Sequence, residues 1–115
     1  MTGTLYLIPT TLGSDKWQDV IPLYVSQITR DTRHFVVEDV RTARRYLSRL
    51  EMPVPISDLH FELLNEHTMQ QDVHKLLLPL LDGLSVGLMS EAGVPAVADP
   101  GALLVALAHK NGVQV

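Results

Sequence analysis

Ser85-Val86-Gly87-Leu88-Met89-Ser90-Glu91-Ala92-Gly93-Val94-Pro95-Ala96-Val97-Ala98-Asp99-Pro100-Gly101 reads as a strand, a long loop and the opening of a helix. Ser85 to Met89 is apolar with little period-two alternation, as in a strand covered on both faces of its sheet. The loop from Ser90 to Pro100 is built of small and turn-forming residues. Asp99 then supplies an N-cap, Pro100 takes the first helical position, and an Ala- and Leu-rich helix follows. Strand, loop and helix in this order predict an α/β fold: a largely parallel sheet flanked by helices.

Working outward, Asn111-Gly112 closes that last helix, and Val113-Gln114-Val115 begins another strand. On the other side, Asp82-Gly83 ends a helix predicted from about Thr68 to Leu81, with Val73, Leu76, Leu77, Leu80 and Leu81 on its apolar side. Pro79 should kink or shorten that helix, because it lacks the N–H that the ladder needs. Further upstream, Met52-Pro53-Val54-Pro55 breaks the chain, and Ile56 to Leu64 reads either as a strand or as a strand with a long loop.

Two more strands precede these. Thr4 to Ile8 is apolar and ends at Pro9, with the turn residues Thr10-Thr11-Leu12-Gly13-Ser14-Asp15 behind it. Trp17, Val20, Ile21, Tyr24, Val25 and Ile28 recur at helical steps. Pro22 fits there if the helix begins just before it. Phe35-Val36-Val37 is stopped by Glu38 and Asp39, and a helix carrying Ala43, Tyr46, Leu47 and Leu50 follows, with Asp39 as its N-cap. In a parallel sheet of βαβ units ligands bind at the carboxyl ends of the strands, so the loops after Ile8, Val37 and Met89 are expected to converge on one edge.

The 115 residues fit one domain, residues 1–115, and 46% hydrophobic with 19% charged residues is a globular composition. The strand signal at Val113–Val115 leads to the expectation that the natural protein continues into a C-terminal domain. With no cysteine there is neither a disulfide framework nor a zinc-thiolate site. No signal peptide precedes the first strand and no apolar run reaches bilayer length, so a cytoplasmic protein without a membrane partner is expected. A net charge of −4 argues against the domain as a whole gripping a nucleic-acid backbone, so any RNA contact must be local.

The residues leave the chemistry of the Ser90–Gly101 segment open. Its small side chains let a ligand approach the backbone, and Gly93 can turn N–H and C=O groups toward one. An ordinary capped βα loop explains Asp99-Pro100 equally well. His60, His67 and His74 fall at seven-residue steps, but no i, i+4 pair or nearby cysteine supports a metal, and none is expected. No Walker loop, G-x-G-x-x-G or Ser-His-Asp arrangement is present.

Four blocks carry a resemblance. Gly3-Thr4-Leu5-Tyr6-Leu7-Ile8-Pro9-Thr10, Glu38-Asp39-Val40-Arg41-Thr42-Ala43-Arg44, Asn65-Glu66-His67, and Ser90-Glu91-Ala92-Gly93-Val94-Pro95 through Asp99-Pro100-Gly101 stand in order along the whole chain. In order and spacing they are similar to the ribosomal RNA cytidine 2'-O-methyltransferase branch of the tetrapyrrole methylases. Relatives with tetrapyrrole substrates carry Gly-Pro-Gly after the first strand, where this chain has Thr10-Thr11-Leu12-Gly13. The chain departs from the branch's usual motifs at Thr11, Ser14, Val40, Thr42, Ala43, Glu91 and Val94.

The resemblance implies an S-adenosylmethionine (SAM)-dependent methyltransferase acting on small-subunit ribosomal RNA. SAM would lie between this domain and a second one, held from this side by Pro9, Thr10, Gly13, Ser90, Glu91, Ala92, Gly93 and Pro95. It also implies a homodimer. Methyl transfer to a hydroxyl needs alignment and a proton acceptor, for which Asp39, Glu38 and His67 are the candidates. Each has a plainer role open to it: helix cap, solvated strand end and surface turn. Arg41 and Arg44 are the candidate substrate-binding residues for RNA phosphates, and Arg45 is either a third or part of a solvated helix face. The alternatives are a tetrapyrrole or other small-molecule methylase, and a ligand-binding domain of the same fold without activity, the latter motivated by Glu91, Val94 and Val40.

Overall fold

A computed structural model of the chain describes residues 2–8, 23–65, 67–89 and 101–115. They form a four-stranded, wholly parallel sheet with helices on both faces, the expected α/β arrangement. The strands are β1 (Leu5–Ile8), β2 (His34–Val37), β3 (His60–Leu63) and β4 (Val86–Met89), in the spatial order β1-β4-β2-β3. The helices are α1 (Leu23–Asp31), α2 (Val40–Ser48), α3 (Gln70–Val73), α4 (Leu78–Leu81) and α5 (Gly101–Lys110).

Alternation along the strands divides the core in two. Leu5, Val36, Val86 and Leu88 point to the face covered by Val73, Leu76, Leu77 and Leu80, by Leu104, Leu107 and Ala108 of α5, and by Val113. Ile8, Phe35, Val37 and Met89 point the other way, onto Ala43, Tyr46 and Leu47 of α2 with Leu50 and Leu59. All four residues of β4 are buried, which is why its sequence shows no polar alternation. Gly87 lies on the second face, where a Cβ would come within 2.5 Å of Ile8 Cδ1 and 3.1 Å of Phe35 Cδ1. The missing side chain is therefore what lets Ile8 and Phe35 close over β4.

The ambiguous stretch Ile56–Leu64 is a 3-10 turn, Ile56–Asp58, followed by the edge strand β3. The helix expected from Thr68 to Leu81 begins later and is interrupted. α3 passes into a 3-10 segment, His74–Leu77, and α-geometry resumes in α4. Pro79 supplies the cause. Without an N–H it cannot bond the carbonyl of Lys75, which instead accepts from Leu78 N–H, one residue nearer, as in a 3-10 turn.

The last residues only begin a strand. Gln114 bridges Thr4 in parallel, and Leu5 N–H donates to the Gln114 carbonyl at 2.9 Å on the β1 edge away from β4. No helix among the described residues is long and apolar enough to cross a membrane.

Candidate functional site

The strand registers bring the carboxyl ends together. Ile8 pairs with Met89, Met89 with Val37, and Val37 with Leu63, so the last residues of β1, β4, β2 and β3 form one row across the sheet. With neighbouring strands about 4.8 Å apart, Ile8 and Val37 stand roughly 10 Å from each other with Met89 between them. The segments after Ile8, Met89 and Val37 therefore leave from adjacent points, at the edge where open parallel sheets take ligands. Pro9, Thr10, Gly13, Ser90, Glu91, Ala92, Gly93 and Pro95, the SAM-binding candidates, lie outside the described residues, as do Pro22 and Asp99-Pro100.

The segment after Val37 is described in full. Glu38 is half-buried and Asp39 exposed. Asp39 has extended backbone (φ −144, ψ 118), and its carboxylate accepts from the N–H of Arg41 at 2.8 Å and of Thr42 at 3.4 Å. Its carbonyl accepts the first helical bond, from Ala43 N–H at 3.1 Å. Asp39 is thus the N-cap that the sequence predicts, with one carboxylate oxygen committed to the end of α2.

The segment after Leu63 begins with Leu64 N–H donating to the Val37 carbonyl at 2.8 Å, which ties it to the end of β2. Asn65 then builds a turn: its Oδ1 accepts from His67 N–H at 2.9 Å, and its N–H donates to Thr68 Oγ1 at 2.9 Å. His67 is exposed there, on the same side of the sheet as Glu38 and Asp39. The three candidate proton acceptors therefore share the carboxyl edge, each at the start of its connection.

Arg41, Arg44 and Arg45 are exposed on α2. Arg44 is placed by a contact that the sequence does not reveal. Its guanidinium carbon sits 5.7 Å from the ring centroid of Phe61 on β3. That ring stacks in turn on Phe35, with centroids 5.9 Å apart and planes at 26°. The contact needs β3 to lie beside β2 in the observed register, and no local motif announces it.

On the opposite face and at the amino ends of the strands, His34 and His60 are register partners whose rings stack at 4.7 Å with 10° between planes. Burial, and then the neighbouring His60, hold the His34 pKa below its ordinary value of 6.5. Among the described residues no group of three or more His, Cys, Asp or Glu side chains is arranged to hold a metal ion.

Comparison with known proteins bears out the resemblance carried by the four blocks. The chain is 28% identical over 113 residues to a ribosomal RNA small subunit methyltransferase I of Halalkalibacterium halodurans, covering 98% of this chain and 36% of that protein. It is 33% identical to the protein of the same name from Xylella fastidiosa, over 98% of this chain and 38% of the relative. The match to that of Micromonospora olivasterospora is 34% over 114 residues, 99% of this chain and 34% of the relative. The chain thus spans about a third of the length of these curated relatives. No family model matches it.

Proposed function

We propose that this chain is the N-terminal domain of a SAM-dependent methyltransferase that methylates a ribose 2'-hydroxyl of small-subunit ribosomal RNA in the cytoplasm, together with a C-terminal domain and as a homodimer. The observation that carries the reading is the similarity along almost the whole chain to relatives named for ribosomal RNA methylation. The fold is compatible with it. The segments holding the SAM-binding candidates follow Ile8 and Met89, which are adjacent in one register row. SAM would supply an activated methyl group for in-line displacement.

The protein's part in such a reaction is to bind, orient and take a proton. Ser90, Glu91, Ala92, Gly93 and Pro95 from one loop, with Pro9, Thr10 and Gly13 from the other, would hold the donor. With the Asp39 carboxylate committed to the end of α2, a proton acceptor is sought first at Glu38 and His67. Arg41 and Arg44 would bind the RNA beside the edge.

Calorimetric titration of the full-length protein with SAM tests this reading. Saturable binding, followed by methyl incorporation into small-subunit ribosomal RNA, is the expected result. Absence of SAM binding would sink the methyltransferase assignment and leave a ligand-binding domain. SAM binding with transfer only to a small-molecule acceptor would move the substrate away from RNA.

A further inference from the structure

We infer that the outer face of α2, together with the edge strand β3, is a lane for single-stranded RNA, in which Arg41 and Arg45 contact phosphates and the Arg44–Phe61 pair is a platform for one base. The inference rests on the RNA reading above and adds to it the form of RNA bound and the role of each side chain.

The charge on this face is segregated. The chain as a whole carries −4, yet α2 holds three exposed arginines and no acidic residue from Val40 to Ser48. Among the described residues Arg41, Arg44 and Arg45 make no ion pair, so their charge is not spent inside the fold. Arg41 and Arg45 are four residues apart and lie one above the other, about 6 Å along the helix axis. Arg41 is only four residues past Val37, so the stripe starts at the carboxyl edge and runs away from it. A strand of RNA held along it would have one end at the row formed by Ile8, Met89 and Val37.

Arg44 differs from its neighbours. Its guanidinium carbon lies over the Phe61 ring, 5.7 Å from the centroid, and that ring is seated on Phe35, which is 1% exposed. A planar cation thus stands at the outer end of a column rooted in the core, and its residue remains exposed. On the same sheet face, two residues along β3, Leu63 is 49% exposed. A guanidinium over an aromatic ring with an apolar neighbour suits an unstacked base. Bases in a duplex present no face to it, and this is why the ligand is assigned as single-stranded.

The test uses the full-length protein and two fluorescein-labelled probes of ribosomal sequence, a single-stranded oligoribonucleotide and its duplex, read by anisotropy over a range of salt concentrations. Arg41→Ala/Arg45→Ala should weaken single-strand binding about tenfold or more and lower the salt slope of log K by about 1.4, two phosphate contacts at about 0.7 each. Arg44→Lys keeps the charge and removes the plane. It should lose about tenfold on the single strand and leave the duplex unaffected. Thermal unfolding of each variant at the wild-type midpoint establishes that it is folded, and Arg45→Glu, at an exposed position, is the reserve variant.

Wild-type affinity and slope in the double variant would overturn the inference, as would Arg44→Lys behaving like wild type. Competition by polyglutamate as strong as by RNA would overturn it too, and would assign the face to an acidic protein. Calorimetry with SAM on the wild-type protein keeps the two readings apart. SAM binding with no effect of these variants on RNA sinks only the lane, and no SAM binding sinks the function above.

Discussion

The Asp39 carboxylate accepts a 2.8 Å hydrogen bond from the backbone N–H of Arg41, so an acid placed at the carboxyl edge of the sheet is also the N-cap of the helix that carries the arginines. Structure and chemistry at this position can be separated by substitution. Asp39→Ala should cost about 1 kcal/mol of stability, whereas Asp39→Asn, which caps as well, should keep the wild-type urea midpoint. Because the carboxylate is committed to α2, Asp39→Asn should also retain methyl transfer. A loss of transfer at unchanged stability would make Asp39 the proton acceptor.

Glycine is required at two places by close approach. A Cβ on Gly3 would collide with the carbonyl oxygen of Leu84, a backbone atom that cannot rotate aside, while Gly3 N–H donates to the Leu80 carbonyl at 2.7 Å. On Gly87 a Cβ would meet side chains, Ile8 and Phe35, which can shift. Gly87→Ala should therefore cost on the order of 1–3 kcal/mol, and Gly3→Ala more. Denaturant unfolding of both variants ranks them, and the reverse order would show that the end of α4 moves more easily than the Ile8–Phe35 contact.

Stability should fall in mild acid. The folded-state pKa of His34 lies below its ordinary value of 6.5, owing first to burial and then to His60. As pH drops through that ordinary value the unfolded chain takes up the proton first, so stability present above it declines until the lower folded value is passed and then levels off. His34→Phe keeps a ring against His60 and removes the titration. Urea midpoints at pH 7.5 and 5 should differ less in this variant than in wild type.

The 115-residue chain alone should bind SAM at least tenfold more weakly than the full-length protein, since the cofactor is proposed to lie between two domains. Side-by-side calorimetry decides it. Equal affinities would place the whole SAM site in this chain.

The strands at Leu5–Ile8, His34–Val37 and Val86–Met89 were legible from their apolar runs, most plainly at Val86–Met89, where all four residues are buried. The cap at Asp39 was legible because capping depends on residues within a single turn. β3 was legible only as a strand of open bounds within Ile56–Leu64, since an edge strand with His60, Glu62 and Leu63 exposed has no buried period to read. The helix ending at Leu81 was read as one piece, with its interruption attached to Pro79. The proline's effect falls one turn earlier, at His74–Leu77, where its missing N–H leaves a carbonyl to be bonded otherwise.

At the site, the shared carboxyl edge followed from topology, and the register row places the ends of the strands side by side there. The Arg44–Phe61 contact and the His34–His60 stack join residues 17 and 26 positions apart in sequence, and depend on which strands are neighbours. Hydrophobic periodicity carries no record of strand order, so neither pair could be read from it.

The order β1-β4-β2-β3 also sets a gradient of local stability across the sheet. β4 has a strand on each side and all its residues buried, so its amides should exchange with solvent only when the whole domain unfolds. Among the described residues β3 has one neighbouring strand and its residues are mostly exposed, so it should open in smaller fluctuations. Phe61 rides on that strand, so each such opening withdraws the ring from under Arg44 and returns the guanidinium to its full range of rotamers. RNA seated on Arg44 would then be felt as slowed amide exchange along β3, a readout of occupancy in backbone hydrogens that the ligand never touches.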